Sequence, residues 1–308
     1  MLAWQVQSIW SAHRPKSFGG LREFVRVRRF MSTSVLPQPW GVHSPTLRQT
    51  LWMDAIRLAS PWVRRPLQRY FKENIEPGWS SPIDIVVRGT RFRSHFRDNA
   101  HEYKLLFQGR RLDHWHLRSL RPFLRPDMSF VDVGANCGFF SLTAARTVGD
   151  RCRVLAIEPN PEMARRLREN IRLNRTSSIL VKEVAIGASH GLAAATASAG
   201  NYGSSAFGKV EAPAETAHHV PMMPLIDVVQ SAGLDRVDVL KIDIEGLEDR
   251  ALSPFFRVAP KHLWPEVIAL EVSHRNRWQS DILDQLHWLR YRVIGRRRVD
   301  LILKRAEI

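Results

Sequence analysis

The sequence lacks several features that would assign a protein to a class at once. It has only two cysteines, Cys137 and Cys152, in 308 residues, which excludes a disulfide scaffold and a four-cysteine zinc site. It contains no run of 18 apolar residues, so no membrane-spanning helix is expected. Its first residues lack the continuous apolar core and small-residue cleavage site of a secretory signal. A reducing, cytoplasmic compartment is therefore the default expectation.

Acidic residues are scarce near the N-terminus. The chain carries 46 Lys and Arg against 30 Asp and Glu, a net charge of +16. Residues 1–80 hold 12 of the basic residues but only 4 of the acidic ones, and six of the ten tryptophans. Such a segment can contact a membrane surface, a polyanion or an acidic substrate. We favour a solvated basic face whose tryptophans pack on the main domain, because charge runs alone are weak motifs.

The N-terminal residues divide into a segment without periodicity and a helical segment. Residues 1–43 show no clean periodicity, and we expect them to be poorly ordered. Ser44-Pro45 is typical of a helix start, and apolar residues follow at three- and four-residue steps from Trp52 to Val63. Pro61 and Pro66 are expected to kink or break this helix.

A β-hairpin and a further helix are predicted next. Residues 83–96 have the pattern of two short strands around Arg88-Gly89-Thr90, and helical periodicity returns around 101–125. We therefore interpret 44–125 as a helical and β-hairpin cap region. Our hypothesis for its first part, 44–80, is a lid or substrate-side cap over the strand ends of the domain that follows.

From residue 128 onward, short apolar segments alternate with helical ones. This alternation predicts an α/β domain over 126–308, with a parallel sheet covered by helices on both faces. Ligands of such sheets bind outside the carboxyl ends of the strands. The strands are predicted at 129–133, 153–157, 178–184, 237–242 and 266–272, with a final antiparallel pair at 291–294 and 301–303. A helix is predicted at 139–148, closed by Gly149.

The first predicted strand runs into a turn with the pattern Asp132-x-Gly134-x-Asn136-x-Gly138. Its glycines allow a tight turn and the close approach of a ligand. Glu158, twenty residues after Gly138, ends the second strand, where a carboxylate can accept hydrogen bonds from both ribose hydroxyls of an adenosine. The spacing is not that of a dinucleotide-binding loop, and an acid at the start of the turn suits a ligand with an amino group and a sulfonium. The pattern therefore favours S-adenosylmethionine over a plain structural turn.

The strand at 237–242 ends in the charged run KIDIEG at 241–246. A central parallel strand should be apolar on both faces, so charges at its carboxyl end indicate a functional site. A hydroxyl that accepts a methyl group benefits from a side chain that takes its proton. Asp243 is the first candidate for this base or for a substrate-orienting role, and Glu245 is the second. The structural alternative is that Lys241 simply pairs with one of these acids.

The next strand end offers Glu271, Ser273 and His274. Glu271 is expected beside Asp243 if the two strands are neighbours. Carboxylates and a histidine at adjacent strand ends can hold a divalent ion. No ligand-spacing motif supports one here, so we predict no metal site.

These stretches resemble the FkbM family of S-adenosylmethionine-dependent methyltransferases, over about residues 82 to 305. The KIDIEGxE string is the most specific part of the resemblance. The long basic start is not explained by the family pattern. The matching stretches are FVDVGANCGFFSLTAA at 130–145, AIEPNPEMARRLRENIRLN at 156–174, VAIGASHG at 184–191 and VDVLKIDIEGLEDRAL at 237–252.

The resemblance implies a class I methyltransferase fold, which is Rossmann-like with a seven-stranded, mostly parallel sheet and helices on both faces. It implies O-methylation, because many relatives methylate hydroxyls of sugars or natural products. It also implies that the residues contacting the adenine ring of the cofactor lie near Glu183 to Ala185. By matching positions it implies a cofactor loop of Asp132, Gly134, Asn136 and Gly138, a ribose acid at Glu158, and an acidic pair, Asp243 and Glu245, facing the active site.

The expected acceptor is thus a hydroxyl of a small molecule or glycan, and two other functions remain open. RNA methylation is suggested by the net charge, but a base-amine motif is missing and the basic stretches of the catalytic part lack interleaved aromatics. The second is a non-catalytic binding module that keeps the methyltransferase fold. The candidate site residues are intact, which argues against a loss of catalytic function. Peripheral membrane contact of the basic N-terminal segment also remains open.

Overall fold

The computed structural model describes residues 38–198, 201–208 and 218–306. Most of the segment expected to be poorly ordered, residues 1–37, lies outside this part, so that expectation stays a prediction. Residues 38–306 with these gaps belong to one compact unit. None of the helices in the described part is long and apolar enough to cross a bilayer.

Two helices stand where the sequence suggests one interrupted helix. α1 spans Leu47–Leu58 and α2 spans Pro61–Asn74. The N-cap of α1 is Thr46, not Ser44, because Thr46 and Gln49 form a capping box in which Gln49 Oε1 accepts the Thr46 N–H at 2.8 Å. Pro61 starts α2 in the first turn, where a missing N–H costs nothing, whereas Pro66 lies inside the helix.

The predicted hairpin is confirmed. β1 (Ile83–Val87) and β2 (Thr90–Ser94) pair antiparallel. Arg88 and Gly89 both have positive φ, 54° and 80°, as a two-residue hairpin turn of the right twist requires. The helix expected around 101–125 is instead two helices, α3 (Ala100–Gln108) and α4 (His114–Leu120).

The remaining chain forms alternating strands and helices. The strands are β3 (Ser129–Val133), β4 (Arg153–Ile157), β5 (Ile179–Lys182), β6 (Ala185–Ile186), β7 (Gly191–Ser198), β8 (Asn201–Gly208), β9 (His218–Met223), β10 (Val239–Ile242), β11 (Val267–Glu271), β12 (Tyr291–Arg297) and β13 (Asp300–Arg305). The helices are α5 (Phe139–Val148), α6 (Pro161–Asn174), α7 (Leu225–Ser231), α8 (Glu248–Val258) and α9 (Ile282–Trp288).

Within the described residues, the main sheet has seven strands in the order β12-β13-β11-β10-β3-β4-β5. β13 runs antiparallel to both of its neighbours, and the strands from β11 to β5 pair in parallel. The predicted seven-stranded, mostly parallel α/β sheet is therefore confirmed. A second described sheet, β6-β9-β7-β8, lies between β5 and α7 in the chain.

The N-terminal elements share a core with the sheet domain. Phe71, Trp79 and Phe107 pack ring against ring, and the same cluster includes Phe139 of α5. Buried ion pairs add a second connection to α6. Arg93 of β2 pairs with Glu169 at 2.7 Å, and Arg166 pairs with Glu102 at 2.6 Å. These contacts fix α3 over the carboxyl ends of the central strands, where the site lies.

Candidate active site

A cavity of about 470 Å³ opens at the carboxyl ends of β3, β4, β10 and β11. Gly134, Asn136, Glu158, Asp243, Glu245 and Glu271 line it from the strand side. The predicted residues from four separate stretches of sequence therefore meet in one place. The opposite wall comes from α3, α4 and the segment between them, at positions within 100–116. Residues 44–80, for which we hypothesised a lid, contribute no lining side chain.

The loop after β3 is held by backbone contacts. Gly134 has a φ of +77°, and a Cβ at this position would lie 2.1 Å from the carbonyl oxygen of Asp243. Glycine is therefore required for the two strand ends to approach. Asn136 also has a positive φ, 51°, and its N–H donates to Glu158 Oε2 at 2.8 Å. The Asn136 side-chain oxygen accepts from Asn99 at 2.9 Å, so the loop is tied to the start of α3.

Glu158 presents its carboxylate to the cavity from the end of β4. Its oxygens accept backbone N–H groups from Asn136 and, at 2.9 Å, from Asn160. Burial raises the pKa of Glu158 to about 7, against the lowering effect of these two donors. Each carboxylate oxygen retains accepting capacity, so hydroxyl groups in the cavity can still donate to Glu158.

Asp132 and Gly138 lie behind the loop and do not line the cavity. The Asp132 carboxylate is fully buried and accepts from the N–H and the hydroxyl of Ser141, at 3.1 and 2.7 Å. A Cβ on Gly138 would lie 2.3 Å from Leu167 Cδ1, so this glycine lets α5 start against α6. Both residues therefore support the loop from the side that faces away from the cavity.

Lys241 is the buried cation of the site. Its Nζ donates to the carbonyl of Gly134 at 2.9 Å and lies 3.4 Å from Asp132 and 3.9 Å from Asp243. Burial by itself would lower its pKa, but the surrounding carboxylates outweigh burial and raise it, so Lys241 stays charged. The pairing considered as a structural alternative is therefore present. It does not remove Asp243 from the cavity, because the Asp243 side chain is 44% exposed.

Asp243 and Glu271 share a hydrogen bond across the adjacent ends of β10 and β11. Burial and the charge of Asp243 raise the pKa of Glu271 to about 9. Burial would raise the pKa of Asp243 as well, but Lys241 and Glu271 together hold it below its ordinary value. Near neutral pH, the pair therefore consists of an ionised Asp243 and a protonated Glu271.

Glu245 faces the same cavity from a strained position. Its φ is +57°, which is uncommon for a residue with a Cβ. Its carboxylate lies 3.4 Å from His274 Nδ1, and burial together with Asp243 raises its pKa. Glu248 has a structural role, since its Oε1 accepts the N–H groups of Ile244 and Gly246 at 3.0 and 3.2 Å.

The side chains at the end of β11, for which we predicted no metal site, are joined by hydrogen bonds. The Ser273 hydroxyl donates to Glu271 at 2.7 Å and lies 2.9 Å from His274 Nδ1. In the described part of the chain, no group of three or more His, Cys, Asp or Glu side chains is placed to hold a metal ion.

Two histidines that line the cavity, His101 and His116, had no predicted role. His116 Nε2 lies 3.2 Å from Asp300, and its ring packs edge-on against Phe140. His101 Nε2 is buried and has no hydrogen-bond partner among the described residues. Burial lowers the pKa of His101, so its imidazole is neutral near pH 7. His101 belongs to the stretch RDNAHEY at 97–103, which is part of the resemblance to the FkbM family but indicates no role for the histidine.

The family model of the methyltransferase FkbM domain matches residues 132–293, more than half of the chain. The chain belongs to the FkbM methyltransferase family. The matched range begins at Asp132 and includes the loop, Glu158 and the acidic ends of β10 and β11. The cavity wall formed by α3 and α4 lies before it.

Solved structures with a similar fold include other methyltransferases. A precorrin-6y C5,15-methyltransferase from Geobacter metallireducens is 17% identical, with a TM-score of 0.35, over 65% of this chain and 88% of that chain. A SAM-dependent methyltransferase from Aquifex aeolicus is 17% identical, with a TM-score of 0.35, over 60% and 86%. A ribosomal protein L11 methylase from Lactobacillus delbrueckii is 14% identical, with a TM-score of 0.34, over 64% and 78%. No curated protein matches the sequence.

In this FkbM family member, a small apolar pocket of about 20 Å³ adjoins the main cavity. Gly134, Pro159 and Ile244 line both, and Val184 and Ala185 contribute to the small pocket. The sequence placed the adenine contact at Glu183 to Ala185. Glu183 itself pairs with Arg168 at 2.7 Å, so only the two apolar residues of this stretch line the pocket.

Proposed function

We propose that this FkbM family protein binds S-adenosylmethionine beside Glu158 and methylates a hydroxyl group of a sugar, a glycan or another small molecule. The observation that carries the proposal is that Asp243 and Glu271, at the adjacent ends of β10 and β11, line the same cavity as Glu158. In this proposal, residues 126–308 form the cofactor-binding domain. The 44–125 region contributes the acceptor side through α3 and α4.

The residues of the cavity fit the cofactor. Glu158 can accept from ribose hydroxyls, and Val184 and Ala185 offer apolar contacts beside the main cavity for the adenine ring. Besides the protonated Glu271, five acidic side chains line the main cavity against two lysines, an electrostatic environment that favours a cation over a phosphate. S-adenosylmethionine supplies a methyl group on a positively charged sulfur when bound. Asn136 and Gly134 shape the loop beside it, with Asp132 and Gly138 as positioning residues.

The acceptor side supplies proton transfer and orientation. The ionised Asp243 can take the proton of an acceptor hydroxyl as the oxygen gains its methyl group. The protonated Glu271 can donate a hydrogen bond to a neighbouring acceptor oxygen. Glu245 and the neutral His101 offer further accepting groups, which suits a ligand with several hydroxyls.

The two other functions are separable from this proposal. A phosphate backbone in the cavity would face Asp113, Asp243, Glu245 and Asp300, which disfavours RNA at the reacting position. A non-catalytic module would not need an ionised carboxylate beside a protonated one. Both cysteines are unpaired and buried, which supports the reducing, cytoplasmic compartment that we propose.

Calorimetric titration with S-adenosylmethionine and with S-adenosylhomocysteine tests the cofactor. We expect stoichiometric binding of both, weakened at least about tenfold by Glu158→Gln, because one carboxylate oxygen becomes an amide donor. Glu266→Gln is the matched control, since Glu266 lies at the opposite end of β11 and pairs with Arg125. Absence of binding by the folded protein would overturn the proposal.

Transfer of labelled methyl groups from S-adenosylmethionine to a panel of methyl glycosides and to single-stranded RNA tests the acceptor class. Label in the glycosides that is lost in Asp243→Asn supports the proposal. Label in RNA alone would replace it with the RNA alternative.

A further inference from the structure

The outer faces of α1 and α2 expose large apolar side chains to solvent. Trp62 is 90% exposed, Leu58 is 81% exposed and Leu47 is 77% exposed. Leu51, Val63 and Tyr70 are also more than half exposed. The inner faces of the same helices are buried through Met53, Ile56 and Phe71, so these outer side chains are not needed for the core. We call this outer surface the Trp62 face.

The Trp62 face is basic. The two helices and their connection, 47–74, contain six Arg and Lys but only two acidic residues. Arg48, Arg65, Arg69 and Lys72 are exposed beside the apolar side chains. One of the two acids, Asp54, pairs with Arg57 at 3.3 Å. The face therefore combines apolar anchors with a surplus of positive charge.

We propose that the Trp62 face docks the protein on the surface of an anionic lipid bilayer. Leu and Trp side chains insert at the boundary between headgroups and acyl chains, and Arg and Lys side chains beside them contact anionic headgroups. A tryptophan suits this depth because its ring is apolar and its N–H can reach water. No helix needs to span the bilayer for this contact.

Charge and chemistry favour lipid over the other occupants of such a face. A second copy docked through the same face would bring two positively charged surfaces together, which opposes symmetric association. Nucleic acid would match the charge but would leave Leu47, Leu51 and Leu58 without apolar partners, because its binding surfaces are polar. A bilayer surface satisfies both the apolar and the basic side chains.

A single helix, α3, connects the Trp62 face to the cavity. The inner side of α1 packs on α3, where Arg57 Nε donates to the Leu106 carbonyl at 2.7 Å. The first turn of α3 carries His101 and Lys104 into the cavity wall. Docking would thus hold the cavity near the membrane, although the proposal does not depend on the reaction assigned to the cavity.

Vesicle flotation of the full-length protein tests the proposal. The vesicles contain either phosphatidylcholine alone or equal parts of phosphatidylcholine and phosphatidylglycerol. We expect flotation with the anionic vesicles, and a marked decrease between about 50 mM and about 500 mM NaCl as the charges are screened. The Leu58→Ser/Trp62→Ser variant should bind at least about tenfold more weakly, because its two anchors are lost. Arg65→Glu/Arg69→Glu should also lose binding.

Trp288→Ser is the matched control, because Trp288 is 84% exposed on α9, away from this face. It should float like the wild-type protein. Failure of the wild-type protein to float with anionic vesicles would overturn the proposal. Equal flotation of wild type and both face variants would also overturn it. A dimer in free solution that dissociates on Trp62→Ser would assign the face to a second copy instead.

Discussion

The missing side chain of Gly134 makes room for the backbone carbonyl of Asp243. A Cβ there would lie 2.1 Å from that oxygen, closer than any nonbonded contact allows. Lys241 reinforces the contact by donating to the Gly134 carbonyl at 2.9 Å. Backbone atoms thus hold the loop after β3 against the acidic end of β10. This contact explains why a glycine is needed at position 134, beside the charged end of β10, although the two are far apart in sequence.

Replacing Gly134 with alanine should damage the fold and the site together. The substitution combines a positive φ with a clash against a backbone atom that cannot rotate away. We expect Gly134→Ala to lose more than about 4 kcal/mol of unfolding free energy, or to fail to fold. Urea denaturation followed by circular dichroism measures the loss.

Gly149→Ala separates conformational strain from the clash. Gly149 has a similar φ of +81°, but nothing lies within 4 Å of a Cβ there. With a ψ of −168°, Gly149 lies in a region that is almost exclusive to glycine, so strain alone should cost about 1–3 kcal/mol. If the two variants were equally stable, the close approach to Asp243 would not be what requires glycine at position 134.

The affinity for S-adenosylhomocysteine should increase with pH around neutrality. In the proposed site, ribose hydroxyls would donate to an ionised Glu158, whose pKa in the ligand-free protein is raised by burial to about 7. Ligand binding favours the deprotonated form, so the affinity is full above pH 7 and falls below it, by at most about tenfold per pH unit. Calorimetric titrations from about pH 6 to about pH 8 measure this slope.

Glu158→Gln should remove the slope as well as weaken binding, because an amide does not titrate in this range. A variant that binds weakly but keeps the wild-type pH dependence would assign the titration to another group. Glu266→Gln should retain both the affinity and the slope.

The sequence predicted the elements of the sheet better than the side chains that line the site. β3, β4 and α5 have the predicted bounds, because strands buried on both faces and a helix closed by Gly149 give clear local signals. Asp132 was expected at the cofactor, yet it is buried beside Lys241. The register of β3 and β10 places these two residues opposite each other. Local patterns do not contain this pairing between distant strands.

The cavity wall opposite the strands could not be predicted from local sequence patterns either. His101 and His116 come from helices that the sequence predicted as one segment, and their roles depend on how α3 packs. Asn99 caps α3 and also donates to Asn136 at 2.9 Å, so one residue connects this helix to the loop. Neither the cap nor the bond to Asn136 was predicted from the sequence.

Arg166 should be important for stability because it neutralises a carboxylate inside the protein. Arg166 and Glu102 lie 2.6 Å apart, with side chains that are 3% and 0% exposed. Arg166→Met leaves Glu102 buried without its cation, and we expect a loss of about 3–5 kcal/mol of unfolding free energy. The Arg166→Met/Glu102→Gln variant should recover part of this loss, since the unpaired charge is gone.

Arg151→Met is the control for removing an arginine from an ion pair. Arg151 and Asp127 lie 2.8 Å apart but are 71% and 68% exposed, so the loss should be below about 1 kcal/mol. Urea denaturation of all three variants makes the comparison. Equal losses for Arg151→Met and Arg166→Met would contradict the role given to burial.

The proton shared by Asp243 and Glu271 can be observed without knowing the acceptor. The pKa of Glu271 is raised to about 9 by burial first and by Asp243 second. Asp243→Asn removes the charge but not the burial, so the pKa of Glu271 should fall from about 9 and stay above that of an exposed glutamate, about 4.3. Carbon-13 NMR titration of labelled glutamate side chains measures the change, with Glu271→Gln to assign the resonance. Glu245→Gln should produce a smaller fall, because Glu245 contributes least among the neighbours that act on Glu271. An unchanged pKa in Asp243→Asn would mean that the two carboxyl groups titrate independently, and the acid–base pair proposed for methyl transfer would have to be abandoned.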